Sequence, residues 1–328
     1  MRSLLESGAV VNALLELEEV VKHFPVKGKG TVVHAVNGVT LTLHHGETLG
    51  IVGESGCGKS TLGRLALRLI EADRGAIRFE GEDVRALSGA ALRAKRREMQ
   101  MVFQDPYASL DPRQQIADIL AEPLKIHAIG SSAERRAQVR DLLDKVGLPS
   151  DAAHRYPHEF SGGQRQRIGI ARAIALEPKL IVADEPVSAL DVSIRSQILN
   201  LLVDLKRALN LSYIFISHDL AVVEYISDRV VVMYLGHIVE MGTATDLYAS
   251  PAHPYTQALI SAIPEPDPDR PRRRIVLGGD VPNPEFPPPG CPFHPRCPKA
   301  MPVCSADMPP VKALGGGQPP HLVRCHLY

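Results

Sequence analysis

The sequence predicts an α/β fold, a sheet covered by helices, with a small cysteine-bearing appendage at its C-terminal end. Three observations point there. β-branched runs alternate with helical patterns through about residue 262, a glycine-rich loop joins one such run to a helix, and proline then takes over the composition. At 328 residues there is room for one large core plus an appendage. Lysine plus arginine total 37 and aspartate plus glutamate total 37, so no net charge draws the chain to a polyanion and no nucleic-acid partner is expected.

Taken in order, "MRSLLESGAVVNALLELEEVV" is broken by Glu6, Glu16, Glu18 and Glu19, so it lacks the continuous apolar core of a secretory signal. No run of eighteen apolar residues follows, and no segment is expected to span a bilayer. A cytosolic setting is expected, where thiols stay reduced. "TLGIVG", "KLIVAD", "SYIFIS" and "RVVVMYL" read as strands. "SSAERRAQVRDLLDKVGL" reads as an amphipathic helix: Ser131 and Glu134 stand at capping-box spacing, Val139, Leu142, Leu143 and Val146 share one face, and Gly147 stops it. The basic run at 93–97, "RAKRR", reads as a solvated helix face. From Pro264 the pattern collapses into "PEPDPDRPRRR" and "PNPEFPPPG", where close-set prolines exclude helices and central strands. A boundary is therefore placed between residues 1–263 and 264–328.

The strongest chemical signal is "GESGCGKST", Gly53 to Thr61, between the strand-like "TLGIV" and the helix-like "LGRLALRLI". Its glycines, Gly53, Gly56 and Gly58, let backbone N–H groups turn inward around phosphate oxygens, with Ser55, Cys57 and Thr61 completing the loop. Lys59 brings a cation to the β and γ phosphates, and the Ser60 hydroxyl is suited to Mg²⁺. Cys57, at a helix N-terminus, is expected to have a lowered thiol pKa; the other reading is an inert small residue packed under the phosphates. "LIVADEP" then reads as a buried strand ending in two carboxylates, Asp184 suited to the Mg²⁺ shell and Glu185 to a base that accepts a proton from an attacking water. In "FSGGQRQRIGIARAIAL", Ser161, Gly162 and Gly163 precede a helical pattern and can offer N–H groups to an anion.

Together these motifs make the chain similar to the ATP-binding subunit of an ABC transporter. "GESGCGKST" resembles the Walker A loop and Gln104, in "MVFQDPYASLDPR", the Q-loop. Ser161, Gly162, Gly163 and Gln164 resemble the signature, and Asp184 and Glu185 resemble Walker B. Asp191 in "SALD" resembles the D-loop, and His218 in "FISHD" the switch histidine. Phe24 falls where the family stacks an aromatic ring on adenine; a core phenylalanine is the other reading. Phe160 stands where many members carry leucine. "YPHEFSGGQRQRIGIARAIALEPKLIVADEPVSALDVSIRSQILNLL" and "SPAHPYTQALISAIP" resemble the oligopeptide and dipeptide importer branch.

The resemblance implies a P-loop core of ABC type with an antiparallel N-terminal β-subdomain and a helical subdomain over roughly 90–175. It implies ATP and Mg²⁺, the metal at Ser60, Gln104 and Asp184, and hydrolysis by Glu185, His218 and Gln104. The signature would serve ATP in trans on a second ATPase subunit, identical or related. The remaining implied partners are two integral membrane permeases and an extracytoplasmic peptide-binding protein, which would place the chain peripherally on the cytoplasmic face of the membrane. Nickel, other metal chelates and glutathione stay open as cargo. A soluble ABC ATPase of translation or DNA repair is the rival class, disfavoured by a single cassette without a coiled-coil insertion.

Four of the five cysteines, Cys291, Cys297, Cys304 and Cys325, gather near the end of the chain. A proline-rich tail cannot bury enough apolar surface to fold alone, so a metal centre held by four thiolates is expected to fix it. Spacing leaves zinc and an iron-sulfur cluster both open. The importer resemblance, some of whose ATPase tails look like 4Fe4S binders, favours a 4Fe4S cluster.

Overall fold

The computed structural model describes residues 13–264, 274–317 and 319–328. The signal-sequence reading of residues 1–12 and the linker reading of 265–273 lie outside the described residues. Twelve strands follow one another among those described: β1 (Ala13–Pro25), β2 (Val32–His44), β3 (Thr48–Val52), β4 (Arg74–Phe79), β5 (Glu82–Asp83) and β6 (Met99–Val102). After them come β7 (Leu180–Asp184), β8 (Ser212–Ile216), β9 (Arg229–Tyr234), β10 (His237–Thr243), β11 (Val311–Leu314) and β12 (His321–Arg324). The chain divides into two compact units, Met1–Arg85 with Ile216–Tyr328, and Ala86–Phe215.

In the first unit an antiparallel sheet runs β2-β1-β4-β5, as the resemblance implied. Its inner face is apolar because Leu15, Leu17, Leu41, Leu43, Ile77 and Phe79 are all buried there. A second run of strands is ordered β11-β12-β10-β9-β3. β3 pairs parallel with β9, Leu49 opposite Arg229 and Val52 opposite Val232. Every residue of both strands is buried, the continuous apolar run that a strand covered on both faces requires. β9 turns into β10 through Leu235 and Gly236, both at positive φ, the backbone a two-residue hairpin demands.

The second unit orders its strands β8-β7-β6, with β6 and β7 parallel. Helix Ser132–Lys145 forms where the spacing placed it: Ser131 Oγ accepts from Glu134 N–H and Glu134 Oε2 accepts from Ser131 N–H. Val139, Leu142, Leu143 and Val146 are buried, and Gly147 follows at φ 68°. Helix Gly89–Glu98 carries the 93–97 basic run and leaves Arg93, Arg96 and Arg97 exposed, while Lys95 is half-buried and pairs with Glu98 Oε1 at 3.4 Å. Helix Val192–Leu209 buries Ile198, Leu199, Leu202 and Leu205 and ends at Asn210, whose left-handed backbone caps it.

The described residues after 274 belong to the first unit, and their anchoring corrects the expectation that a metal must supply their stability. β12 adds to the edge of β10, Glu240 opposite Val323 and Met241 opposite Leu322, and β11 folds back on β12. Prolines stay out of the strands themselves, Pro309 and Pro310 standing before β11 and Pro319 and Pro320 in the connection to β12, so they bound the strands rather than abolish them. Glu240 is buried and accepts from the Ala252 and His253 N–H groups, while His321 Nε2 lies 2.7 Å from its Oε1. Phe293, 0% exposed, has its ring 5.2 Å from that of Tyr234 and 5.4 Å from that of Tyr255. The stretch cannot make a core of its own; it borrows the core of the unit it docks on.

Candidate functional site

β3 ends at Val52 and the glycine-rich loop begins at once, because Gly53 and Gly58 take backbone shapes closed to other residues. A Cβ on Gly53, at φ 151°, would lie 2.3 Å from Met233 O, and one on Gly58, at φ 104°, 2.1 Å from Ala35 O. Gly58 caps helix Lys59–Ala66, whose first turn therefore opens onto the loop. Lys59 is only 5% exposed, and its ammonium donates to Gly53 O at 2.8 Å and to Glu54 O at 3.0 Å. A buried cation held by loop carbonyls at a helix N-terminus is an arrangement suited to phosphate.

Cys57 is a correction. Burial pushes its thiol pKa up, outweighing the opposing pull of Lys59, whose Nζ lies 3.8 Å from the sulfur. Of the two readings, the packed and inert thiol stands. A maleimide at neutral pH is therefore expected to label Cys57 far more slowly in the folded protein than after unfolding. Equal rates by peptide mass spectrometry would reverse this assignment.

The same unit holds Phe24 and His218. Phe24 ends up on the surface, 37% exposed, with Lys22 Nζ 5.3 Å from its ring centroid, so it is not a core residue. His218 is exposed and follows directly on β8 and Ser217.

In the second unit β7 carries Asp184, 2% exposed, to its last position. Glu185 follows with φ 47°, a left-handed backbone rarely adopted by a non-glycine residue. Its carbonyl is held by Ser188 N–H and Oγ, and its Oε2 accepts from Gln104 Nε2 at 3.0 Å. The sequence named both residues but gave no sign that one holds the other. Ser161 and Gln164 cap each other: Ser161 Oγ accepts from Gln164 N–H, and Gln164 Oε1 accepts from Ser161 N–H. The serine-x-x-glutamine spacing carries that signal. Gly163 leaves no room for a side chain, since a Cβ would meet Ile194 Cγ2 at 2.5 Å. Asp191 is the exposed N-cap residue of helix Val192–Leu209.

Two family models match the chain. Residues 36–188 fit the ABC transporter model, and 239–304 fit the oligopeptide/dipeptide transporter C-terminal region. An oligopeptide transport ATP-binding protein of Bacillus subtilis, AppF, is 53% identical over 96% of this chain and 97% of its own length. The chain belongs to the ABC transporter family. A putative peptide import ATP-binding protein of Brucella ovis is likewise 53% identical, over 95% of this chain and 97% of its own. Among solved ABC structures, cbiO1 of Clostridium perfringens, part of a transporter complex, gives a TM-score of 0.64 at 28% identity over 73% of this chain and 92% of that one. A dimeric ATP-binding cassette in a post-hydrolysis state with ADP and phosphate matches equally well, over 70% of this chain and 98% of that one. The ABC transporter match takes in the glycine-rich loop, Gln104, Ser161 to Gln164 and both carboxylates, and leaves Phe24, Asp191 and His218 outside it.

Outside this machinery, the metal site expected at the tail cysteines is not shown: among the described residues no three His, Cys, Asp or Glu side chains make a metal-holding group. Cys291, Cys304 and Cys325 are buried and Cys297 is half-buried. Burial pushes the Cys291 thiol up to about 11, with the other three thiols adding to the rise. With no metal bound, desolvation thus favours neutral thiols. The donor chemistry fits a four-sulfur centre, which the described residues do not show assembled.

Proposed function

We propose that the protein is the ATP-hydrolysing subunit of a peptide importer. The observation that carries this reading is near-full-length identity to ATP-binding proteins named for peptide import and oligopeptide transport, on a chain whose loop buries Lys59 among carbonyls at a helix N-terminus. The loop N–H groups and Lys59 bind and orient the phosphates, and Phe24 offers an exposed ring to the base. Ser60, Gln104 and Asp184 bear the oxygens suited to Mg²⁺, which supplies charge neutralisation on the β and γ phosphates when bound. Glu185 orients a water and takes its proton as the oxygen bonds to the γ-phosphorus and the bond to ADP breaks, while Gln104 fixes the carboxylate. His218, Asp191 and the Ser161–Gln164 cap complete the set. Ser161, Gly162, Gly163 and Gln164 face the nucleotide of a second ATPase subunit.

Among the described residues no helix is long and apolar enough to cross a membrane. In this reading two permeases hold the chain at the cytoplasmic face, and an extracytoplasmic binding protein delivers the peptide. A tagged chain should co-purify with integral membrane permeases, and the reconstituted complex should take up peptide into vesicles only with hydrolysable ATP. Co-purification with ribosomes, or uptake of nickel or glutathione in place of peptide, would replace this function.

For the tail thiols the narrower reading is a metal centre, 4Fe4S or zinc, with no part in hydrolysis. It draws on four cysteines lying near enough to act on one another electrostatically. Anaerobic purification with iron, sulfide and zinc analysis tests it: iron with sulfide gives the cluster, one zinc gives the zinc site, and neither leaves packing thiols.

A further inference from the structure

Glu54, the second residue of the phosphate loop, is held at three points. Its carbonyl receives Lys59 Nζ, its N–H donates to Tyr255 Oη at 2.9 Å, and its carboxylate receives both terminal nitrogens of Arg296, at 2.7 and 3.1 Å. Two of the three partners lie far outside the loop. The Arg296 side chain is 8% exposed, and its guanidinium also reaches Tyr234 Oη at 3.4 Å. Arg296 and Phe293 sit on one tight turn, His294–Arg296, in which Arg296 N–H donates to Phe293 O and His294 N–H to Cys291 O. Phe293 packs on Tyr255 and Tyr234 while Arg296 grips Glu54, so a single turn of the C-terminal stretch fixes both outside partners of one loop residue.

We propose that Arg296 is a positioning residue for nucleotide binding, acting through Glu54. A carboxylate in a loop built for phosphates opposes its own ligand unless it is paired, and a forked guanidinium both neutralises and orients it. Because Lys59 bonds to the Glu54 carbonyl as well as to Gly53 O, freeing Glu54 loosens one of the lysine's two carbonyl partners. Holding both before ATP arrives lowers the ordering cost of binding. Arg296 acts through Glu54 and has no part in the chemical step.

This inference rests on the ATPase reading above, and the test separates the two. In the full chain assembled with its permeases, Arg296→Ala is expected to raise KM for MgATP about tenfold, in line with loss of a charged hydrogen-bonded pair, and to leave kcat within about twofold. Arg296→Lys restores the charge without the fork and should recover part of the loss. Adding Glu54→Gln to Arg296→Ala removes the unpaired carboxylate and should recover most of it. A tail that merely undocks would not be rescued by a change inside the loop. Should Arg296→Ala fail to fold, Arg296→Gln carries the same comparison. An unchanged KM, or a KM raised equally with and without Glu54→Gln, overturns the role of Arg296. A wild-type complex that neither binds nor hydrolyses ATP overturns the ATPase reading itself.

Discussion

Glu185→Gln is expected to lower single-turnover ATP hydrolysis by about 100- to 10,000-fold, the range that loss of a general base produces, with ATP binding at its wild-type level. The substitution is close to isosteric, and the amide oxygen can still accept from Gln104 Nε2 as the carboxylate does at 3.0 Å. The left-handed turn at φ 47° and the Ser188 bonds to its carbonyl involve backbone alone, so they persist. What disappears is the capacity to take a proton from water. Peptide uptake should stop with hydrolysis. Wild-type chemistry in a rapid-quench measurement on the assembled complex would remove Glu185 from the reaction.

Gly58→Ala is expected to abolish measurable ATP binding, because the added Cβ would fall 2.1 Å from Ala35 O, a backbone atom of β2 that cannot swing aside like a side chain. The φ of 104° adds strain of about 1–3 kcal/mol for any residue with a Cβ. Either β2 or the loop must move, and Lys59 stands next in sequence. Gly56→Ala is the matched comparison: its φ is also positive, at 79°, but a Cβ there meets nothing within 4 Å. It should bind ATP with a loss of no more than about thirtyfold, from strain alone, of about 1–2 kcal/mol. Titration with a fluorescent ATP analogue, beside thermal unfolding of each variant, checks both; normal affinity in Gly58→Ala would show that the loop tolerates another backbone path.

Where structure follows from near neighbours, the sequence was readable. Ser131 and Glu134 lie three residues apart, and the capping box they specify is present atom for atom. The loop from Gly53 to Thr61 is likewise a local code of glycine positions between a strand and a helix. The tail was misread because its stability is not local: Phe293 finds Tyr234 and Tyr255, and Arg296 finds Glu54 at 242 residues' distance along the chain. No spacing rule connects such partners. Cys57 failed for a related reason, since the helix end beside it is visible in sequence and the burial that opposes it is not. Glu185 was named for its carboxylate, but its backbone turn and its bond to Gln104 emerge only once β7 and the 104 loop are folded.

The β10–β12 pairing also sets an order of events during synthesis. β10 can pair with β9 as soon as both have left the ribosome, yet its other edge must wait through residues 244–320 before β12 arrives. At about 5–20 residues per second that is a delay of roughly 4–15 seconds. Through that interval a mostly apolar edge stays open to strands of other nascent chains, and Glu240 lacks His321. The same late segment brings Phe293 and Arg296, so a polypeptide halted before residue 293 would carry every nucleotide motif and still lack the turn that steadies Glu54. Translation speed over codons 244–320 is therefore expected to set how long that edge stays open.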